Sequence, residues 1–63
     1  MTITVQTHVG EIAFQSSEYE WEEFKRNPTE NRLARWVSKR TDMTRAQVKT
    51  FIKDGYRVSA SYS

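Results

Sequence analysis

The chain has 63 residues, so it holds at most one domain with a small hydrophobic core. Its lack of cysteine excludes disulfides and thiolate metal sites, and the single histidine, His8, argues against a histidine-based metal centre. A core of this size usually contributes only about 3–5 kcal/mol, and small proteins often compensate by associating. We therefore expect residues 1–63 to form one small dimerising domain without a metal or cofactor.

Charge is divided unevenly along the chain. Residues 1–30 have a net charge of −4 and residues 31–63 a net charge of +6, which together give the overall +2. An acidic half and a basic half favour attraction, within one chain or between two copies.

The longest uncharged segment, Met1–Gly10, is too short to span a bilayer and lacks the basic start and apolar centre of a signal peptide. The sequence therefore predicts a soluble cytoplasmic protein with no membrane partner.

The N-terminal segment alternates apolar and polar residues, which predicts a strand over residues 2–9. Ile3, Val5, Thr7 and Val9 share one face of this strand, and Thr4, Gln6 and His8 share the other. Ile12 and Phe14 suggest a second short extended segment after a turn at Val9–Glu11. That hairpin is the weaker prediction, because the turn has no Asn-Gly or Asp-Gly pair.

The main helical region is predicted over Ser17–Arg40. It opens on Ser17-x-x-Glu20, the pattern of a capping box. Pro28 interrupts the region, which leaves either one kinked helix or two helices at an angle. A second helix would be capped by Asn27 or Thr29, and Pro28 would suit its first position.

A further helix is predicted over Thr44–Asp54. It opens on a second capping-box pattern, Thr44-x-x-Gln47, and Gly55 follows it in the position that commonly ends helices. Alternation over residues 56–62 then suggests a C-terminal strand. Terminal segments often fray, so the N-terminal strand is the stronger prediction.

These elements predict a small α+β protein, mostly helical, with two main helical regions and a short strand, assembled as an intertwined homodimer. The terminal strands would pair with each other or with their counterparts in a second copy. The expected apolar core, shared between subunits or offered to a partner, is Trp21, Phe24, Leu33, Trp36, Val37, Val48, Phe51 and Ile52.

Two kinds of binding surface are compatible with this pattern. Large rings rimmed by charge are typical of protein interfaces, although the same rings also build cores; they are Tyr19, Trp21, Phe24 and Trp36. Cations at helical spacing suit phosphate binding, although such stripes are more often solvated or paired with a chain's own acids. They are Arg32, Arg35 and Lys39 on one helix and Arg45, Lys49 and Lys53 on the next, in a helix-turn-helix outline.

Nothing in the sequence indicates catalysis. The four acids of the first helical segment are spread around it, and they are Glu18, Glu20, Glu22 and Glu23. His8 lies on the polar face of its predicted strand, with no neighbouring serine or aspartate to form a catalytic pair. We therefore do not expect an enzyme.

The segment Val37-Ser-Lys-Arg-Thr-Asp-Met-Thr-Arg-Ala-Gln-Val-Lys49 resembles the helical hairpin that opens the HU-like DNA-bending proteins, which are intertwined dimers. The similarity covers about a fifth of the chain, and the chain lacks the long β-arms of those proteins. Asp42 also stands where their glycine is expected. The resemblance is one of hairpin and not of function.

The whole chain, from Met1-Thr-Ile-Thr-Val-Gln6 through Trp21-Glu-Glu-Phe24 to Tyr62-Ser63, resembles the small early proteins of lambdoid phages encoded between the exonuclease and excisionase genes. The resemblance implies a protein made early in the host cytoplasm that promotes lytic development. It also implies a dimer of two helices and a strand with extensive contacts between subunits. It implies no catalytic residues.

The expected function is thus that of a non-enzymatic early phage regulator. It would bind a host or phage protein through an aromatic and apolar surface. The alternative is a basic dimeric DNA-binding protein of helix-turn-helix type, with contacts from Arg35, Lys39, Arg45, Lys49 and Lys53.

Overall fold

The fold combines three helices with a three-stranded antiparallel sheet, in a computed structural model that describes residues 1–62. In chain order the elements are β1 (Thr2–Thr7), β2 (Gly10–Gln15), α1 (Glu18–Arg26), α2 (Glu30–Arg40), α3 (Arg45–Ile52) and β3 (Arg57–Ser61). The small α+β class is as predicted. The predicted helical region Ser17–Arg40, left open as one kinked helix or two helices, is two helices, α1 and α2. The second extended segment and the C-terminal strand, which were the weaker predictions, are both present and complete a sheet.

The N-terminal strand β1 is the centre of the sheet, whose order is β2-β1-β3. Ile3 pairs with Phe14 on one side and with Ala60 on the other, and both pairings are antiparallel. The predicted terminal strands therefore pair with each other within one chain. The predicted homodimer stays a prediction.

The hairpin between β1 and β2 turns earlier than predicted. β1 ends at Thr7, and the turn residues are His8 and Val9, so Val9 is 64% exposed and does not join the buried face. The Thr7 hydroxyl accepts a hydrogen bond from the Val9 N–H and donates one to the Gly10 carbonyl. These local bonds stabilise a turn that has no Asn-Gly pair, because threonine hydroxyls can substitute for backbone partners.

Pro28 separates α1 from α2 and does not kink a continuous helix. Ser17 caps α1 by accepting from the Glu20 N–H at 3.2 Å, whereas Thr29 caps α2 by accepting from the Arg32 N–H. Pro28 therefore lies before the second cap and not at the first helical position. The predicted capping box of α1 is only half formed, because the Glu20 carboxylate bonds to other groups.

The predicted start of α3 is confirmed. The Thr44 hydroxyl accepts from the Gln47 N–H at 3.1 Å, and the Gln47 side chain accepts from the Thr44 N–H at 2.9 Å. The helix ends at Ile52, slightly before the predicted Asp54. Gly55 follows with φ of +114°, and its N–H donates to the Ile52 carbonyl, so it occupies the conformation that favours glycine.

The hydrophobic core lies between the sheet and the helices of one chain. Its buried members are Ile3, Val5, Phe14, Phe24, Leu33, Ala34, Trp36, Val37, Val48 and Ile52. The sheet contributes the first three of these, which the predicted core omitted. Of the predicted members, Trp21 and Phe51 are only partly buried.

Candidate functional site

A cleft of about 700 Å³ opens between α1 and α2. Its lining residues are Tyr19, Glu20, Glu23, Phe24, Arg32, Arg35, Trp36 and Lys39. Residues three and four apart share one helix face, so α1 contributes Tyr19 beside Glu23 and Glu20 beside Phe24. The cleft therefore has an acidic rim on α1, a basic rim on α2 and aromatic rings between them.

The floor of the cleft is part of the packed core. Trp36 is only 8% exposed, and its ring centre lies 5.1 Å from Phe14, edge to face, and 5.2 Å from Phe24. Tyr19, at 72% exposed, is the large ring that the cleft presents to solvent. The floor is consequently fixed by contacts from the sheet, while Tyr19 offers free aromatic surface.

Trp21 supports this floor from beside the cleft. Its ring is stacked at 6.4 Å from both Phe24 and Trp36. The Lys25 ammonium lies 5.3 Å from the centre of the same Trp21 ring, within range of a cation–π interaction. Trp21 therefore packs against both rings of the floor and against Lys25, although it does not line the cleft.

Glu20 connects the two helices that form the cleft. Its carboxylate accepts a hydrogen bond from the Ser16 hydroxyl at 2.7 Å and forms an ion pair with Arg40 of α2. Burial by itself would raise the pKa of Glu20, but the hydrogen bonds from Ser16 and Arg40 and the charge of Arg40 together lower it. The nearby Trp36 indole N–H also lowers the pKa of Glu20. This N–H forms no hydrogen bond of normal geometry with any of residues 1–62.

The acidic side chains of α1 all have partners. The pairs are Glu18 with Tyr62, Glu20 with Arg40, Glu22 with Lys25 and Glu23 with Arg26. The pKa of Tyr62 is raised mainly by its hydrogen bond to Glu18. Desolvation and the negative charges of Glu18 and Glu22 raise it further. The acidic rim of the cleft is therefore largely neutralised by groups of the chain itself.

The basic rim on α2 is not neutralised to the same extent. Arg32 donates to the backbone carbonyl of Glu23 at 3.1 Å. Arg35 and Lys39 are exposed, one helical turn apart, and form no ion pair with any acid in the part of the chain that the structure describes. The predicted attraction between the two halves is thus realised mainly by Glu20 and Arg40, and the excess charge of the cleft is positive.

The predicted nucleic-acid contacts are divided between two places. Arg35 and Lys39 line the cleft, whereas Arg45 and Lys49 on α3 and Lys53 at its C-terminal cap are exposed outside it. The α3 cations also lack ion pairs within residues 1–62. The helix-turn-helix outline is present, with α2 packed against α3.

Most of the predicted apolar binding surface lies inside the chain. Phe24 and Trp36 form the cleft floor, and Trp21 and Phe51 are partly buried at the edge of the core. The remaining members have no exposed area, and they are Leu33, Val37, Val48 and Ile52.

The rim residues Glu20 and Glu23 were not predicted from the sequence as part of a site. The sequence did contain a signal for them. Glu20 precedes Phe24 by four residues and Glu23 follows Tyr19 by four, so each acid lies beside a ring on one helix face.

Neither a group of metal ligands nor a membrane-spanning helix is present in the described part of the chain. Within residues 1–62, no three His, Cys, Asp or Glu side chains are grouped so that they could hold a metal ion. No helix in that range is both long enough and apolar enough to cross a membrane.

Comparison with known proteins supplies no relative: no protein-family model, curated protein or solved structure matches the chain.

Proposed function

We propose that this chain is a non-catalytic regulator that binds another protein through the cleft between α1 and α2. The observation that carries the proposal is the exposed ring of Tyr19 over a packed floor of Phe24 and Trp36. Aromatic side chains surrounded by charged groups are typical anchor points of protein interfaces. Because the floor is already ordered by core contacts, binding there would require little rearrangement.

The resemblance to the small early proteins of lambdoid phages supports a biological setting for this proposal. In that setting the chain is made early in the host cytoplasm, acts as a homodimer and promotes lytic development by binding a host or phage protein. The small size of the core supports association of two copies, since chains of this length gain stability from a partner subunit.

The proposal is tested by removing the exposed ring. We expect Tyr19→Ala to fold normally and to lose a partner that the wild-type protein retains from an extract of host cells expressing phage early genes. Tyr62→Ala is the matched control, since Tyr62 is 76% exposed and does not line the cleft. Circular dichroism checks that both variants are folded. Equal retention of the partner by wild type and Tyr19→Ala would contradict the proposal.

Nucleic-acid binding is the second candidate, and the cations of α3 favour it. Arg45, Lys49 and Lys53 are exposed and without ion pairs among the described residues, on and at the end of the second helix of a helix-turn-helix outline. Affinity for duplex DNA would then fall steeply with salt, with a log–log slope of about −0.9 for each phosphate neutralised. Changing all three to glutamate would abolish this binding and leave binding in the cleft intact.

A further inference from the structure

The cleft also indicates the chemistry of the partner, an inference that rests on the proposed function. We infer that the partner presents an acidic amphipathic segment. Its carboxylates would pair with Arg35 and Lys39, and an apolar side chain beside them would cover Tyr19.

Charge complementarity carries this inference. The acids of the α1 rim already have partners, whereas Arg35 and Lys39 form no ion pair with an acid in residues 1–62. Two like charges one helical turn apart repel each other. A carboxylate placed next to both cations would relieve that repulsion and complement the excess charge of the cleft.

The rest of the lining favours a polypeptide over a nucleic acid. Glu20 and Glu23 line the rim opposite the free cations, and aromatic rings lie between the rims. A polyanion filling the cleft would bring phosphates towards those carboxylates and over an apolar floor. A polypeptide avoids both costs, because it can present carboxylates on one side and an apolar side chain next to them.

The dimensions of α2 suit a helical segment. Its 11 residues extend over about 16 Å, which is about three helical turns. Arg35 and Lys39 are separated along the axis by about 6 Å, the spacing of side chains at positions i and i+4 of a partner helix. The expected binding mode is therefore an amphipathic helix in a groove.

The test uses two fluorescent amphipathic peptides of equal length. One carries glutamate at positions i and i+4 beside a leucine anchor, and the other carries lysine at the same two positions. We expect the glutamate peptide to bind the full-length protein about tenfold more tightly and to shift the NMR signals of Tyr19 and the Trp36 indole. The double variant Arg35→Glu/Lys39→Glu should reverse this preference.

A matched double variant controls for net charge. Arg45→Glu/Lys49→Glu makes the same charge change on α3, outside the cleft, and should keep the wild-type preference. All four positions are exposed, and circular dichroism checks that both variants are folded. A preference for lysine in the wild type, loss of the preference only in the α3 variant, or absence of peptide-induced shifts in the cleft would overturn the inference.

The remaining outcomes separate this inference from the proposed function. Equal binding of both peptides in the cleft overturns the acidic preference but leaves the cleft as a protein-binding site. Displacement of the glutamate peptide from the cleft by a short DNA duplex overturns the inference in favour of nucleic acid. A peptide affinity that falls as rising protein concentration converts monomer to dimer, followed by sedimentation equilibrium, overturns it in favour of a second copy of the chain. The proposed function is tested separately by the Tyr19→Ala variant, which should lose the partner although the substitution changes no charge.

Discussion

Trp36 is the side chain whose removal we expect to destabilise the fold most. Its ring lies within 5.1–6.4 Å of the rings of Phe14, Phe24 and Trp21, so it joins the sheet to α1. Replacing a buried tryptophan by alanine lowers the free energy of unfolding by about 3–5 kcal/mol. A core of this size supplies a total of about the same amount. Trp36→Ala should therefore be largely unfolded near room temperature.

Urea unfolding followed by far-UV circular dichroism measures this loss. Trp36→Phe keeps a ring on the cleft floor and removes the indole N–H, which has no hydrogen-bond partner among residues 1–62, so we expect a folded variant of intermediate stability. The surface change Tyr19→Ala should alter the free energy of unfolding by no more than about 0.5 kcal/mol. A Trp36→Ala variant within about 0.5 kcal/mol of wild type would refute the argument. A loss that disappears at high protein concentration would locate Trp36 at a subunit contact and not in the core of one chain.

Three further perturbations test local features of the fold. Thr44→Ala removes one bond of the α3 capping box and should cost about 1 kcal/mol, a fall in Tm of about 4–8 °C; an unchanged Tm would contradict this. Gly55→Ala places a side chain at φ of +114° and should cost about 1–3 kcal/mol, even though among residues 1–62 no residue other than its chain neighbours has an atom within 4 Å of the new Cβ; a wild-type Tm would count against the strain. Folding lowers the pKa of Glu20 below its ordinary 4.5, so its stabilisation is present above that value and is lost as the pH falls through the lower, folded-state pKa. Glu20→Gln should therefore lower the urea midpoint at about pH 7 and flatten its decline towards about pH 3, whereas parallel pH profiles for the two proteins would disprove this.

Features that depend on neighbouring residues were predictable from the sequence. The capping box of α3 needs only Thr44 and Gln47, whose groups lie within one turn and bond reciprocally. Gly55 is local in the same sense. For α2 the sequence left Asn27 and Thr29 as alternative caps, and the structure has Thr29. Alternation likewise predicted the face of β1 that carries Ile3 and Val5.

Features that depend on distant residues were not predictable in this way. Glu20 matched the local capping pattern, yet its carboxylate pairs with Arg40, twenty residues away. The Glu18–Tyr62 hydrogen bond joins positions 44 residues apart. For Glu20 a partner brought close by the fold replaces the local one, and for Glu18 the partner lies at the far end of the chain; no spacing rule along the chain predicts either pairing.

The candidate site also combines patterns that are visible along the sequence with an arrangement that only the fold produces. The sequence contained the rings of Phe24 and Trp36 and the basic stripe of Arg35 and Lys39 as separate patterns. Only the packing of α1 beside α2 brings them into one cleft, with Glu20 and Glu23 on the opposite rim.

The sequence by itself determined where α1 and α3 begin and the α+β class, because these follow from hydrogen bonds and side-chain periodicity within a few residues. Tertiary structure decided that β1 became the central strand, since its two neighbours come from β2 and from the far end of the chain. It also decided which charges remained unpaired. The physical reason is that strand pairing and ion pairing depend on distances in space, and those distances are set only when the whole core has packed.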